Sequence, residues 1–288
     1  MSAARPSTLE AEIDRLAAHP AAASAADAER VIAELLAALE QGVIRAAQRE
    51  EDGEWRAVPW VKRGILLAFR VGTVVTMSPD PGHGTHVFSF VDKHTLPPRI
   101  LDTTDQVRIV PGGSTIRRGA HVAAGVVCMP PMYINAGAWV GAGTMVDSHA
   151  LVGSCAQIGE RVHLSAAAQI GGVLEPVNAS PVVIEDEVVV GGNCGVYEGT
   201  VVRRRAVLAA GVVLTRGTPV YDLPLRRVIR AAGERPLQIP EGAVVVPGSR
   251  AIRDSWGSEQ GLSLQTPMIV KYRDEKTDAS TALEQSLR

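Results

Sequence analysis

Asp147 is the residue whose type and place most invite chemistry. It follows Val146 at a position that is glycine, alanine or serine in neighbouring repeats, so nothing structural asks for a charge there. A carboxylate partly buried against a second subunit is suited to take a proton from a nucleophile, making Asp147 a candidate general base. A solvated corner residue is the plainer alternative. His121, His149 and His163 lie in the same region, and three converging imidazoles can hold zinc. Their phases differ, however: His121 and His163 stand one position before an aliphatic residue and His149 three after one, so solvent-facing or substrate-lining histidines and no metal site are expected. The chain also lacks GxxxxGK[ST], strand-GxGxxG-helix, HExxH and CxxC patterns.

The framework that must hold Asp147 is a beat of six. Aliphatic-type residues recur at Val110, Ile116, Val122, Cys128, Ile134, Val140, Val146, Val152, Ile158, Leu164 and Ile170, and again at Ile184, Val190, Val196, Val202, Leu208, Leu214 and Val220. Six is an even number, so each of these side chains returns to one strand face, and hexapeptide repeats signal a parallel β-helix. A small or β-branched residue usually stands two places earlier, as at Ala120, Ala138, Thr144, Ala156 and Ala168, which suits a narrow lumen. Three hexads close one triangular coil. Glycine often follows the aliphatic residue (Gly141, Gly153, Gly159, Gly171, Gly191), as expected of a sharp or positive-φ corner. The fourteen residues from Ile170 to Ile184 are two more than two hexads, so a loop is expected to leave the prism near residues 172–181, and such loops carry function.

Before the prism, Ser7 with Glu10 resembles a capping box for a helix running to Pro20. Ser24 with Asp27 opens a second helix that stops at Gly42, and the apolar residues of the 60–70 segment take helical spacing. Pro79, Pro81, Gly82, Gly84, Pro97 and Pro98 make 71–105 a connecting segment. Residues 1–105 thus form a mostly helical N-terminal domain, 106–247 the β-helix, and 248–288 a C-terminal α/β extension. Strands are expected at 242–248 and 268–272, with a helical tail from Ser280.

With 288 residues and a net charge of -2, the chain has room for a large core and no electrostatic pull toward nucleic acid. No apolar run is long enough to span a bilayer and the start lacks a signal-like apolar stretch, so no membrane partner and a cytoplasmic location are expected. Cys128, Cys155 and Cys194 are an odd set inside the repeat, where packing is the better reading than a disulfide framework.

The run Gly143-Thr-Met-Val-Asp147, then Val152-Gly-Ser-Cys-Ala-Gln-Ile-Gly159, Val162-His-Leu-Ser165 and Ile170-Gly-Gly-Val-Leu-Glu-Pro176, resembles the tetrahydrodipicolinate N-succinyltransferases. The likeness extends to Asp52-Gly-Glu-Trp55, the 60–70 segment and Met268-Ile-Val-Lys271. The resemblance implies a mainly β, left-handed parallel β-helix acting as a homotrimer, with sites between neighbouring prisms. No cofactor is implied as permanently bound; succinyl-CoA is the co-substrate. The acceptor is hydrated, ring-opened tetrahydrodipicolinate, whose amine attacks the thioester directly to give N-succinyl-2-amino-6-oxopimelate, a step of lysine and diaminopimelate synthesis. Asp147 then matches the family aspartate that contacts the amino group, and Arg108 the arginine that binds an acceptor carboxylate, a task suited to a guanidinium fork.

Two departures from the family pattern stand out. Many members carry an acidic residue where this chain has Gly195, and Glu198 is the candidate to take over its role, with a solvated surface residue as the alternative. Relatives often have Thr-Trp where this chain has Ser148-His149, and His149 is placed to assist proton transfer beside Asp147. Arg203 and Arg204, in the run Arg203-Arg204-Arg205, are candidates to dock the CoA phosphates, against the usual reading of a solvated basic corner. Three other functions fit the same repeat: an acyltransferase using acetyl-CoA or another acceptor, a non-catalytic trimeric scaffold, and a metal-dependent hydratase.

Overall fold

The computed structural model describes residues 6–19, 24–77 and 90–274. Each hexad contributes a two-residue strand, and every third strand pairs in parallel, so that Val122, Val140 and Ile158 lie in one ladder, Cys128, Val146 and Leu164 in a second, and Ile134, Val152 and Ile170 in a third. The result is a three-sided parallel β-helix. Its faces are named here for outward residues: the Met145 face (Arg108, Val127, Met145, His163, Val189), the Tyr133 face (Thr115, Tyr133, Leu151, Gln169, Gly195) and the Trp139 face (His121, Trp139, Gln157, Val183, Val201).

The beat aliphatics point inward with their smaller partners and form one continuous buried core. Each buried Val, Ile or Leu contributes ~1.5–3 kcal/mol of transfer free energy. Thr144, a polar member of the lumen, is satisfied locally: its hydroxyl donates to the Gly159 carbonyl at 2.9 Å and accepts from the Val162 amide at 3.0 Å. The three cysteines are buried and free, and burial pushes the thiols of Cys128 and Cys155 up to about 12.

The repeat is less regular at its ends than the beat suggests. Ile109, not Val110, stands opposite Cys128 and is 39% exposed, so the phase starts at Ile116. Val220 is buried, but the ladder passes from Val202 to Ile239, so an excursion spanning roughly 215–237 leaves the prism before the last coil. Ile170 and Ile184 occupy successive strands, and Ile158 pairs directly with Ile184. The extruded loop therefore holds eight residues beyond a single hexad, rather than two beyond a pair. Nor do the glycines after the aliphatics need positive φ. That conformation falls three places after most of the aliphatics, at His149, Cys155, Arg161 and Ala167 among others. Gly141 is required by close stacking instead, because a Cβ there would stand 2.6 Å from the Gly159 carbonyl carbon in the next coil.

Three helices pack beside the Trp139 face: α1 (Pro6–Ala18), α2 (Ala25–Glu40) and α3 (Pro59–Val71). Helix α1 begins at Pro6, placing Ser7 inside it rather than at the cap, whereas Ser24 caps α2 by accepting from the Asp27 amide. Their apolar stripes share a second core with Ala136 and Cys155 of the prism. A hairpin of Ala47–Arg49 and Trp55–Ala57 lies between α2 and α3, and another, of Val74–Met77 and Phe90–Lys93, occupies part of the expected connecting segment. At the far end, strands Ala243–Ala251 and Ser263–Tyr272 pair antiparallel, bracket the short helix α4 (Ser255–Glu259), and extend the Met145 face. The first of them crosses the 247/248 boundary expected between prism and extension. The expected helical tail from Ser280 lies outside the described residues.

Candidate active site

Asp147 stands on the edge between the Met145 and Tyr133 faces, immediately after the Met145–Val146 strand. Its backbone is fixed by the ladder, with its amide donating to the Leu164 carbonyl at 2.9 Å, while Oδ1 accepts from the Ser148 amide at 2.7 Å. Oδ2 lies 3.8 Å from Nε2 of His163. His163 pairs with Met145 from the next coil, so it sits on the outer face one step above the strand that carries Asp147. A carboxylate, held by a backbone donor on one oxygen, thus shares a corner with an imidazole at a distance longer than a hydrogen bond. His149 occupies the same corner as Asp147, at φ 62°, with an exposed side chain and its carbonyl accepting from Gln169 Nε2. Arg108 is exposed on the Met145 face two coils below Met145, roughly 10 Å along the prism at the ordinary inter-strand spacing.

Glu198 is elsewhere. It follows the Gly195–Val196 strand on the edge between the Tyr133 and Trp139 faces, one whole face and two coils from Asp147. Within the chain the structure does not bring the two carboxylates together. The extruded loop and the excursion leave the prism along this same edge, and with the first hairpin they enclose a cleft of about 1610 Å³. Glu198 lines it and accepts from the Arg216 amide at 2.8 Å. Tyr197 lines it too, its ring folded back across Gly195 and Gly171. A Cβ on Gly195 would stand 2.5 Å from the ring, and one on Gly171 2.7 Å.

Arg203 is used internally. Its guanidinium donates to the Gly53 carbonyl at 2.8 Å, Glu185 at 3.0 Å, Gln238 at 3.0 Å and Glu54 at 3.2 Å, tying the first hairpin to the prism. Trp55 Nε1 reaches the same Glu185 oxygen at 2.9 Å. That engagement counts against the CoA-docking role expected of Arg203. Arg204 is exposed and pairs with Glu187 at 2.6 Å. The loop itself is held from inside by Lys62 of α3, wholly buried, whose Nζ donates to the Ala179 carbonyl at 2.5 Å; burial draws this amine below its usual value. Among the described residues, no group of three or more His, Cys, Asp or Glu is placed to hold a metal ion. No helix among them is long and apolar enough to cross a membrane.

Family models for the tetrahydrodipicolinate N-succinyltransferase N-terminal region and the hexapeptide repeat of succinyl-transferase match residues 7–71 and 181–216. A 2,3,4,5-tetrahydropyridine-2,6-dicarboxylate N-succinyltransferase of Rhodopseudomonas palustris is 38% identical over 274 residues, covering 93% of this chain and 92% of the relative. The chain belongs to the tetrahydrodipicolinate N-succinyltransferase family. The corresponding protein of Polynucleobacter asymbioticus is 39% identical over 270 residues, covering 91% of this chain and 90% of its own. A crystal structure of a putative 2,3,4,5-tetrahydropyridine-2-carboxylate N-succinyltransferase from Campylobacter jejuni superposes with a TM-score of 0.50 at 18% identity, over 83% of this chain and 62% of that one, a likeness of fold. The fold is the left-handed parallel β-helix, and the protein is an acyltransferase of this N-succinyltransferase family.

Two residues of this succinyltransferase take places at the site that their sequence context does not single out. The sequence gives His163 no role beyond a solvent-facing or substrate-lining histidine, yet it is the imidazole beside Asp147. The signal was available: one coil on from Asp147 is Ser165, and a residue two places earlier points outward on the same side. Tyr197 carries no signal of its own in the sequence, where Gly195 reads as a missing acid rather than as space for a neighbouring ring.

Proposed function

We propose that the chain transfers succinyl from succinyl-CoA to the amine of hydrated, ring-opened tetrahydrodipicolinate, in a homotrimer whose sites lie between neighbouring prisms. The 38% identity to named N-succinyltransferases over nine-tenths of the chain carries the substrate assignment. The Asp147–His163 pair supplies the chemistry. Asp147 receives a proton from the acceptor amine as its lone pair attacks the thioester carbonyl; a carbon–nitrogen bond forms, the carbon–sulfur bond breaks, and the departing thiolate is protonated to free CoA. His163, with Nε2 3.8 Å from Oδ2, is the imidazole beside this carboxylate and takes the proton on from it toward sulfur. His149, exposed at the same corner, lines the acceptor side, and Arg108, on the adjoining face, pairs with an acceptor carboxylate. Glu198 enters such a site only from the neighbouring protomer, since it sits on a different edge from Asp147. Arg204, free of the hairpin clamp, is the better placed of the two arginines to meet a CoA phosphate.

Thiol release from succinyl-CoA and acetyl-CoA, with tetrahydrodipicolinate as acceptor, tests the assignment. Release with succinyl-CoA alone, abolished in Asp147→Asn, is the expected result. Equal use of acetyl-CoA would move the donor reading to a two-carbon acyl group. A folded protein that releases thiol with neither donor would overturn the substrate assignment.

A further inference from the structure

The interlock of Tyr197 with Gly171 and Gly195 assigns a job to a residue that the proton relay does not use. Tyr197 belongs to the position that follows a beat aliphatic, the same place in the hexad that Asp147 holds on another edge. Its ring does not project from the corner but lies back along the prism wall. Two glycines make that possible. Carbon Cδ1 stands 2.7 Å from where a Gly171 Cβ would be, and Cε2 and the hydroxyl oxygen stand 2.5 Å and 2.9 Å from a Gly195 Cβ. No real Cβ tolerates such neighbours, so the pair of glycines forms a seat cut to one aromatic ring. The ring is partly exposed and lines the cleft beside Glu198. Among the described residues no group takes its hydroxyl in a hydrogen bond.

Two of the three arginines lining the cleft are paired with carboxylates, and the third is held by a carbonyl. Arg56 pairs with Asp52 at 2.5 Å, Arg235 with Glu54 at 3.0 Å, and Arg216 donates to the Gly233 carbonyl. The phenol is an uncharged hydrogen-bonding group, held in a fixed place, in a cleft where Arg216 keeps its positive charge against a neutral carbonyl. Its match is an amine or another neutral polar group. A phenol also suits an amine that must react. It can accept one N–H while Asp147 takes the proton of another, leaving the nitrogen lone pair to attack an acyl carbon.

We propose that Tyr197 is a substrate-contacting residue whose hydroxyl receives the amine of an amino-dicarboxylate acceptor, and that Gly171 and Gly195 exist to seat it. This rests on the function proposed above, in which the acceptor lies between two protomers and Asp147 approaches from the other.

The test removes the hydroxyl and, separately, the seat. Tyr197→Phe keeps the ring and its packing, and should lower kcat/KM for the acceptor roughly 3- to 10-fold, the size of one neutral hydrogen bond, while the KM for succinyl-CoA stays put. Gly195→Ala should match or exceed that loss by evicting the ring, yet add nothing in a Tyr197→Ala background. Calorimetric titration of the full-length protein with an α-amino dicarboxylate, with CoA present, reads the same contact without turnover. Binding to the parent weakened in Tyr197→Phe supports the proposal. Equal binding and equal kcat/KM in both overturns it while leaving the acyltransferase reading intact. No binding and no thiol release by the parent would overturn both.

Discussion

Asp147 Oδ2 and His163 Nε2 face each other at 3.8 Å although nearly a full coil of chain separates them. Strand stacking creates the pair: the Leu164 carbonyl takes the Asp147 amide, and His163, the residue before Leu164, is thereby set on the outer wall directly above the carboxylate. Asp147→Asn should cost about 10²–10⁴ in kcat, the usual scale of a lost proton-transfer group, with an unchanged melting temperature. His163→Gln should lower kcat by less and leave the KM values near their parent values. Stopped-flow or steady-state thiol detection separates the two. Equal losses in both variants would mean a single unit rather than a base with a helper.

The Arg203 clamp gives a prediction of opposite character. Removing its guanidinium leaves Glu185, which is nearly buried, without its main counter-charge, and frees the Gly53 carbonyl and Glu54 as well. Breaking such a pair from one side costs about 3–5 kcal/mol. Arg203→Ala should therefore show as a large fall in melting temperature. Arg204→Ala, on an exposed pair with Glu187, should change stability by no more than about 1 kcal/mol and raise the KM for the CoA substrate. A stable Arg203→Ala protein with a raised CoA KM would reverse these assignments.

Acidification should loosen the docking of the helical domain. His121 stacks on Trp139 with ring centroids 3.9 Å apart, and its Nδ1 meets the Glu40 carbonyl at 2.9 Å. Burial holds this imidazole below its ordinary value near 6.5, with the Glu40 carbonyl opposing. The folded state thus takes up the proton less readily than the unfolded chain. The contribution of His121 is complete above that ordinary value and is lost as pH falls through and below it. Melting curves between pH 8 and 5 should slope down toward acid, and more weakly in His121→Gln. An unchanged slope in the variant would assign the effect to other groups.

Charge in the lumen should not be tolerated. Val152 is fully buried between the Ile134 and Ile170 levels of the same ladder. Val152→Asp places a carboxylate where no donor waits, at a cost of several kcal/mol or more. Circular dichroism should show loss of the β signal or an insoluble product, whereas Val152→Ile should remain folded.

How far these relationships were legible follows from their range along the chain. The inward residues were plain because one side chain in six returns to the same wall and the lumen accepts little besides aliphatics. Asp147 stands out as a charge at a place that Gly141 and Gly153 hold in the hexads on either side. Loop size was misjudged because a beat of six fixes phase but not which wall a strand joins; Ile184 keeps phase on the wall next after that of Ile170 whatever the intervening length happens to be. The partners of Arg203 were invisible because Gly53 and Glu54 reach it through a hairpin near the other end of the sequence. Arg108, by contrast, is placed beside the Asp147 edge only by counting coils, and the single-residue slip at Ile109 hides that count.

Both chain segments that leave the prism do so from the edge carrying Glu198, and in each case the coil above resumes its pairing as though nothing had intervened. The ladder therefore carries no memory of how many residues were spent outside. Doubling such a loop adds only about 0.6 kcal/mol of closure entropy. Length and composition along that one edge are thus free to drift while the lumen and the Asp147 corner stay under strict geometric constraint. Evolution or an engineer can rewrite the cleft by insertion and deletion there without re-solving the fold.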